Sequence, residues 1–384
     1  MSATSISSKN VFVIAVACFY TLSANLPCLA APAGLPMPMQ RHLRFAGPYT
    51  YRNLAIYFIR GKQSGNGQQL LTLQEALKNR SVVINETGNV NQLTIQNRGK
   101  LPVFVQGGDI VRGGRQDRTI RDDMVLPPKS GIVPVNVFCV ENGRWQARGN
   151  EDARLFSDSS NELPSKELKL AAKVTGDQGL VWQRVDELQR KAAKAGHVGI
   201  DRIRPNSSPT SLDLTMNNKP VESMSFQYKA RLAPTLQGKN DIVGYACVIN
   251  GTVSSVDVYS SPQLFKKLWP KLIDASAVEA ATKLVDGKSY PPVKTSSIES
   301  WMDDAKRAHV SSTRTVANTK VEVHESAQHV LITSAGTAAI QGATNGTVGP
   351  QGYDATVITG VNTSGAVRRN SPDWEFFHFN FLSK

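Results

Sequence analysis

Several things that would announce a chemistry are missing from these 384 residues. There are only four cysteines, none in a CxxC spacing, and neither Cys139 nor Cys247 has a histidine nearby, which argues against a catalytic thiol and a paired-cysteine metal site. The six histidines form no HxH or HExxH pattern. His324 and His329 stand five apart in a segment that reads as strand or hairpin, and His378 sits among aromatics as an edge or core residue, so no metal and no cofactor is expected. No G-x-S-x-G elbow marks a serine hydrolase. The formal net charge is +13, yet no run of five or six Lys or Arg occurs. Scattered charge of this kind reads as solubility and general surface attraction, not specific nucleic-acid recognition.

The first thirty residues read as an export signal. Lys9 is the only charge before Arg41, an apolar stretch runs from Val11 to about Leu22, and Cys28-Leu29-Ala30-Ala31 offers small residues for cleavage. The stretch is shorter than the roughly 20 residues a membrane span needs, so no transmembrane helix is expected after cleavage. Lipoprotein anchoring at Cys18 is the weaker reading, because the apolar run continues through it into Phe19-Tyr20. The expected location is therefore periplasmic or extracellular. Cys18 and Cys28 leave with the signal. Cys139 and Cys247 continue apolar strand faces, and either a disulfide or two buried free thiols suits that placement.

A linker rich in Pro, Met and Gly follows over residues 31–50, and then a β unit over 51–150. Its strands are expected at Leu54–Ile59, Val82–Ile84, around Leu93 and Ile95, at Val103–Val105, at Met124–Leu126 and at Ile132–Val140, with a short helix introduced by Thr72. Residues 151–240 read as helix and loop. Asp177 caps a helix carrying Val181, Val185 and Leu188 on one face with Gly196 as its stop, between polar loops at Ser157–Pro164 and Pro205–Pro220. Over 241–334, Asn250-Gly251 predicts a tight type I′ hairpin joining Ile242–Ile249 to Thr252–Tyr259. Ser261 and Pro262 then open a helix that Pro270 should kink, a further helix contains Trp301, and strands follow near Val310 and over Val321–Ile332. Residues 335–371 read as a Gly/Thr-rich mobile loop, and 372–384 as an aromatic strand returning to the core. The fold class is α+β, mainly antiparallel sheet with packed helices around one large or bilobal core.

The most informative stretch is Gly107-Gly108-Asp109-Ile110-Val111-Arg112-Gly113-Gly114-Arg115-Gln116-Asp117-Arg118, answered by Cys139-Val140-Glu141-Asn142-Gly143-Arg144-Trp145. It is no phosphate loop, because Gly114-Arg115 replaces the required Lys-Ser/Thr and no helix opens after it. Gln116, Arg118, Glu141, Arg144 and Trp145 form the candidate ligand site. Paired strands would gather the guanidinium forks and the carboxylate at one sheet end, with the indole as a flat wall. An internal Arg–Glu clamp tying two loops together fits the same residues, and is the more common use of them. Glu141 with Asp109 or Glu86 supplies the carboxylates for an acid/base hydrolase.

The order of these pieces resembles the ARG- and rhodanese-phosphatase-superfamily-associated protein domain. The resembling motifs are Thr72-Leu73-Gln74-Glu75-Ala76-Leu77, Val83-Ile84-Asn85-Glu86, Asn97 and the GGD turn, Gly113 to Arg118, Cys139-Val140-Glu141, Gly143-Arg144-Trp145, the Gln178/Val181-Trp182 helix, and Ile249-Asn250-Gly251 running into Leu264-Phe265. The resemblance covers about Arg52 to Ala280 and departs at Asp109, where the family often carries the longer Glu. It implies a fold and a site location but no activity. The leading expectation is an exported, non-catalytic domain binding a small or anionic ligand or a protein partner. The alternative is an extracytoplasmic hydrolase.

Overall fold

The computed structural model describes residues 43–64, 69–336 and 376–384. The expected signal segment, most of the expected linker and nearly all of the expected Gly/Thr-rich loop lie outside these residues. The architecture is α+β, with antiparallel sheets dominating.

Eight antiparallel strands make the largest sheet, in the spatial order Arg44–Tyr51, Leu54–Arg60, Ile242–Ile249, Thr252–Tyr259, Phe376–Ser383, His329–Gly336, Thr319–Glu325 and His309–Val316. The expected hairpin is present, and Asn250 and Gly251 both take positive φ (54° and 76°), as a type I′ turn demands. The aromatic terminal strand does return to the core. It occupies a central position between Thr252–Tyr259 and His329–Gly336, and all eight of its residues are buried. Two faces explain its composition. Phe377, Phe379 and Phe381 pack toward Ile298 and Met302 of the helix Thr295–Lys306, while His378 and Asn380 alternate onto the opposite face.

On that opposite face, the helix Pro262–Thr282 runs unbroken through Pro270 and buries Leu264, Phe265, Leu268 and Leu272 against the first four strands. Ser261 caps it by accepting from the Leu264 N–H at 3.0 Å. Asp177 caps the helix Gln178–Ala195 in the same way, through Leu180 N–H at 2.9 Å. Thr72 and Glu75 close a reciprocal capping box on Leu73–Lys78.

A second sheet has six strands in the order Phe156–Glu162, Asp109–Gly113, Arg118–Ile120, Val133–Cys139, Gln92–Asn97 and Val82–Glu86. A third joins Leu71–Thr72, Val103–Val105 and Met124–Leu126, the first pair running parallel.

Three local readings change. Arg44–Tyr51 is strand where composition suggested linker. Phe156–Glu162 is strand, not loop, because its polar side chains find buried partners: Ser159 and Asn161 on Asp213, and Glu162 on Lys169. The second expected loop contains the short helix Leu212–Met216, capped by Ser211. Cys139 and Cys247 are buried free thiols, both pushed up by burial, to about 11 and about 12 respectively.

Candidate functional site

The two halves of the candidate stretch meet through strand pairing. Arg118 lies opposite Cys139, and the Val140 N–H donates to Asp117 O at 3.1 Å, which carries Glu141 to the turn beside Asp117. There the carboxylate of Glu141 is completely buried and takes a two-toothed grip from Arg144: Nε to Oε1 and Nη2 to Oε2, each at 2.7 Å. Its Oε2 also accepts the Asp117 backbone N–H at 2.9 Å, and its Oε1 accepts the hydroxyl of Ser208.

Asp117 is buried just as deeply. Its Oδ2 accepts from Arg148 Nη1 at 3.1 Å and from Ser211 Oγ at 2.9 Å, and its Oδ1 accepts from Gly113 N–H at 3.2 Å and Arg144 Nη2 at 3.3 Å. Arg148 extends the chain of contacts to Glu151 at 2.8 Å. Burial, and then the negative charge of Glu141, lifts the Asp117 carboxyl to about 6, against the pull of Arg148. Burial pushes Glu141 upward too, but the hydrogen bonds from Arg144, Ser208 and the Asp117 backbone outweigh it and hold the group below the usual carboxylate range.

Arg118 is placed differently. It is fully buried, and Nη1 donates to Gln116 O at 2.9 Å and Gln116 Oε1 at 3.3 Å. The other edge of the guanidinium, Nε and Nη2, has no hydrogen-bond partner among the described residues. The nearest carboxylate, Glu86 Oε2, is 3.6 Å from Nη2. The guanidinium faces the indole of Trp145, whose centroid is 5.7 Å from the Arg118 guanidinium carbon and 5.2 Å from that of Arg115. Trp145 is 42% exposed, the one member of the candidate set that faces solvent broadly.

The structure thus brings Gln116, Arg118, Glu141, Arg144 and Trp145 to one corner, as strand pairing required, with four of the five beneath the surface. Asp109 is not part of that corner. It is buried in a second network, paired with Lys271 and accepting from Gln74 Nε2 at 3.2 Å and Gln106 N–H at 3.1 Å. Glu86 touches the corner through Arg118 and caps the Thr87 and Gly88 amides at 3.1 Å each. A surface cavity of about 240 Å³ lies elsewhere, lined by Arg52, Ser223, Met224, Gln227 and Tyr228 among others.

Sequence reading missed Asp117, Arg148, Ser208 and Ser211 as members of the corner. Asp117 and Arg148 lie in or near the chosen stretch and differ in no local way from ordinary surface charges. The two serines come from a loop nearly seventy or more residues away, so nothing local marks them. Also missed was the interior network that joins Asp123, Asp257 and His378. The His378 ring accepts or donates at Nδ1 to Asp123 (2.8 Å) and at Nε2 to Asp257 (3.1 Å), and stacks on Tyr259 with centroids 4.3 Å apart. Among the described residues, no group of three or more His, Cys, Asp or Glu is arranged to hold a metal ion, and no helix is long and apolar enough to cross a membrane.

A mainly antiparallel α+β domain, with its charged residues drawn inward as buried clamps, is the class this geometry defines. The chain belongs to the ARG and Rhodanese-Phosphatase-superfamily-associated Protein domain family, whose model matches residues 42–344. No curated protein and no solved structure matches the chain.

Proposed function

We propose that this chain is a non-catalytic binding domain that takes a small anionic ligand, a carboxylate or phosphate, at the corner beneath Trp145. The supporting observation is the unpaired Nε/Nη2 edge of Arg118. Buried polar groups are almost always hydrogen-bonded, and an orphan guanidinium edge has the two-toothed geometry that matches a carboxylate or phosphate. Glu86 attracts this edge from 3.6 Å without saturating it, and an incoming anion would compete with it. The remaining members have supporting roles. The Glu141–Arg144 and Asp117–Arg148 pairs hold the two loops together, and the exposed Trp145 covers the Arg118 guanidinium.

The hydrolase alternative is less well supported. Its best acid pair is Asp117 with Glu141, since their proton affinities are driven apart. All four carboxylate oxygens, however, already accept hydrogen bonds from the protein. The export reading rests on the N-terminal segment: one lysine, a short apolar run and small residues after it.

The test is a thermal-shift titration of the full chain with phosphate, sulfate and citrate, each against sodium chloride at matched ionic strength. A saturable rise in Tm is expected, and is expected to vanish in Arg118→Met. Arg118→Met leaves the buried Glu86 carboxylate without its cation, so a lower starting Tm is expected, and the shift is read from each protein's own ligand-free Tm. Wild-type shifts no larger than those given by chloride, or equal shifts in Arg118→Met, would overturn the reading.

A further inference from the structure

The interior network places an amine, a carboxamide and a carboxylate in contact, all out of water. Lys173, on the π-helical turn Leu170–Thr175, points its Nζ at Asn380 Oδ1 at 3.1 Å. Asn380, on the terminal strand, donates its Nδ2 to Asp257 Oδ1 at 2.8 Å. The three residues are buried, at 2%, 1% and 1% exposure. Strand register fixes the second contact, because Asp257 and Asn380 are direct cross-strand partners. On the far side, Val321, Val323, Val330, Ile332 and Leu382 pack with Leu170 and Val174 of the Lys173 turn, so the meeting point is walled by apolar groups.

For a purely structural arrangement the hydrogen bonding is incomplete. An ammonium has three donors, yet among the described residues Lys173 makes one hydrogen bond, and the carboxylate oxygen paired with it, on Asp123, is 4.0 Å away. Asp257 Oδ2 has no hydrogen-bond partner among the described residues. His378 links the two acids, with Asp123 at Nδ1 and Asp257 at Nε2. Hydrogen bonds thus connect Asp123 through His378 and Asp257 to the Asn380 nitrogen, and Lys173 Nζ stands 4.0 Å from the Asp123 end of that chain.

We propose that Lys173 and Asn380 become joined by an intramolecular isopeptide bond, formed by the folded protein itself. Lys173 Nζ gives up a proton toward Asp123, and the neutral amine attacks the Asn380 carboxamide carbon. The Nζ–Cγ bond forms and the Cγ–Nδ2 bond breaks. The two protons shed by Nζ end on the departing nitrogen, delivered by Asp257 with His378 as relay, and ammonium leaves. One ammonium and one primary amide become one secondary amide and free ammonium, with no oxidant, reductant or cofactor involved. Contact between the reacting groups in a dry, fixed site supplies what a bimolecular amidation in water lacks. Such a bond would staple the terminal strand to a helix 207 residues earlier in the chain.

Peptide mapping of the denatured full-length protein by mass spectrometry decides the matter. A branched peptide uniting Lys173 and Asn380, lighter than the sum of its parts by about 17 Da for one ammonia, is expected in wild type. It should be absent from Lys173→Arg and Asn380→Ala, and absent or slowed in Asp257→Asn. Recovery of the Lys173 and Asn380 peptides as separate, unmodified linear species from folded wild type would overturn the proposal, whether or not any variant folds. Ammonia loss mapped instead to an Asn-Gly pair such as Asn142-Gly143 or Asn250-Gly251, or a branched peptide uniting Lys271 with Asp109, would overturn it equally.

Discussion

Asp117 donates its backbone N–H to the carboxylate of Glu141 at 2.9 Å, while Arg144 and Arg148 hold both side-chain carboxyls from the other side. Two acids share one dry corner, and the conflict between them falls on Asp117.

That conflict makes stability depend on pH with a definite sign. The Asp117 carboxyl is raised from its ordinary 3.8 to about 6, so between those values the folded state binds the proton and the unfolded state does not. Its contribution is greatest below pH 3.8 and is lost as pH rises through about 6, by on the order of 3 kcal/mol. Glu141 acts with the opposite sign, contributing above 4.5 and losing that contribution in acid. Urea unfolding of wild type and Asp117→Asn between pH 4 and 7 isolates the first term. The variant's stability relative to wild type should improve steadily across that window, and a constant difference would show that Asp117 does not titrate there.

Gly113 and Gly114 set the shape of the same corner. Gly113 has φ +117°, and a Cβ there would lie 2.8 Å from Leu155 O. At Gly114 (φ +54°) it would lie 2.3 Å from the Phe156 ring. Alanine at either position combines left-handed strain with overpacking and should cost about 2–4 kcal/mol. Gly143→Ala, at φ +86° with open space around it, carries strain alone and should cost about 1 kcal/mol. Equal losses of Tm in all three variants would show that contact with Leu155 and Phe156 is not what excludes a side chain.

His378 gives the interior network its own pH response. Burial pushes the imidazole down, but Asp123 and Asp257 outweigh it and raise the group above its ordinary 6.5. Its stabilising effect is complete below 6.5 and is lost as pH rises through the raised value. His378→Gln leaves two buried carboxylates short of a cation and should cost roughly 3–5 kcal/mol near pH 6. The gap to wild type should narrow toward pH 9. A gap of unchanged size across that range would mean that the ring carries no charge in the folded protein.

Part of the corner was written locally. The long strand ending at Cys139 follows from its apolar alternation, whereas its partner Arg118–Ile120 lies in the glycine-rich block, where no strand was expected. What the gathered side chains do with each other was not legible. Gln116, Arg118, Glu141 and Arg144 suit a pocket or a clamp equally well as a list of residue types. Ser208 and Ser211, which complete the coordination of Glu141 and Asp117, arrive from 67 and 94 residues away. Phe156–Glu162 reads as loop in the sequence for a related reason. Its polar residues satisfy no local pattern, and only Asp213 and Lys169 make a buried strand of them affordable.

The sequence by itself determined the features that short-range physics controls: the Asn250-Gly251 turn, the caps at Thr72, Asp177 and Ser261, the alternating strands, and the membership of an α+β family. Each depends on backbone preferences and hydrogen bonds spanning a few residues. The tertiary structure alone decided which charges are buried and with whom, because burial and pairing join residues from different elements, up to more than two hundred positions apart. It turned most of the candidate site into a clamp, left one edge of Arg118 unpaired beneath Trp145, and set Lys173 against Asn380 in the interior.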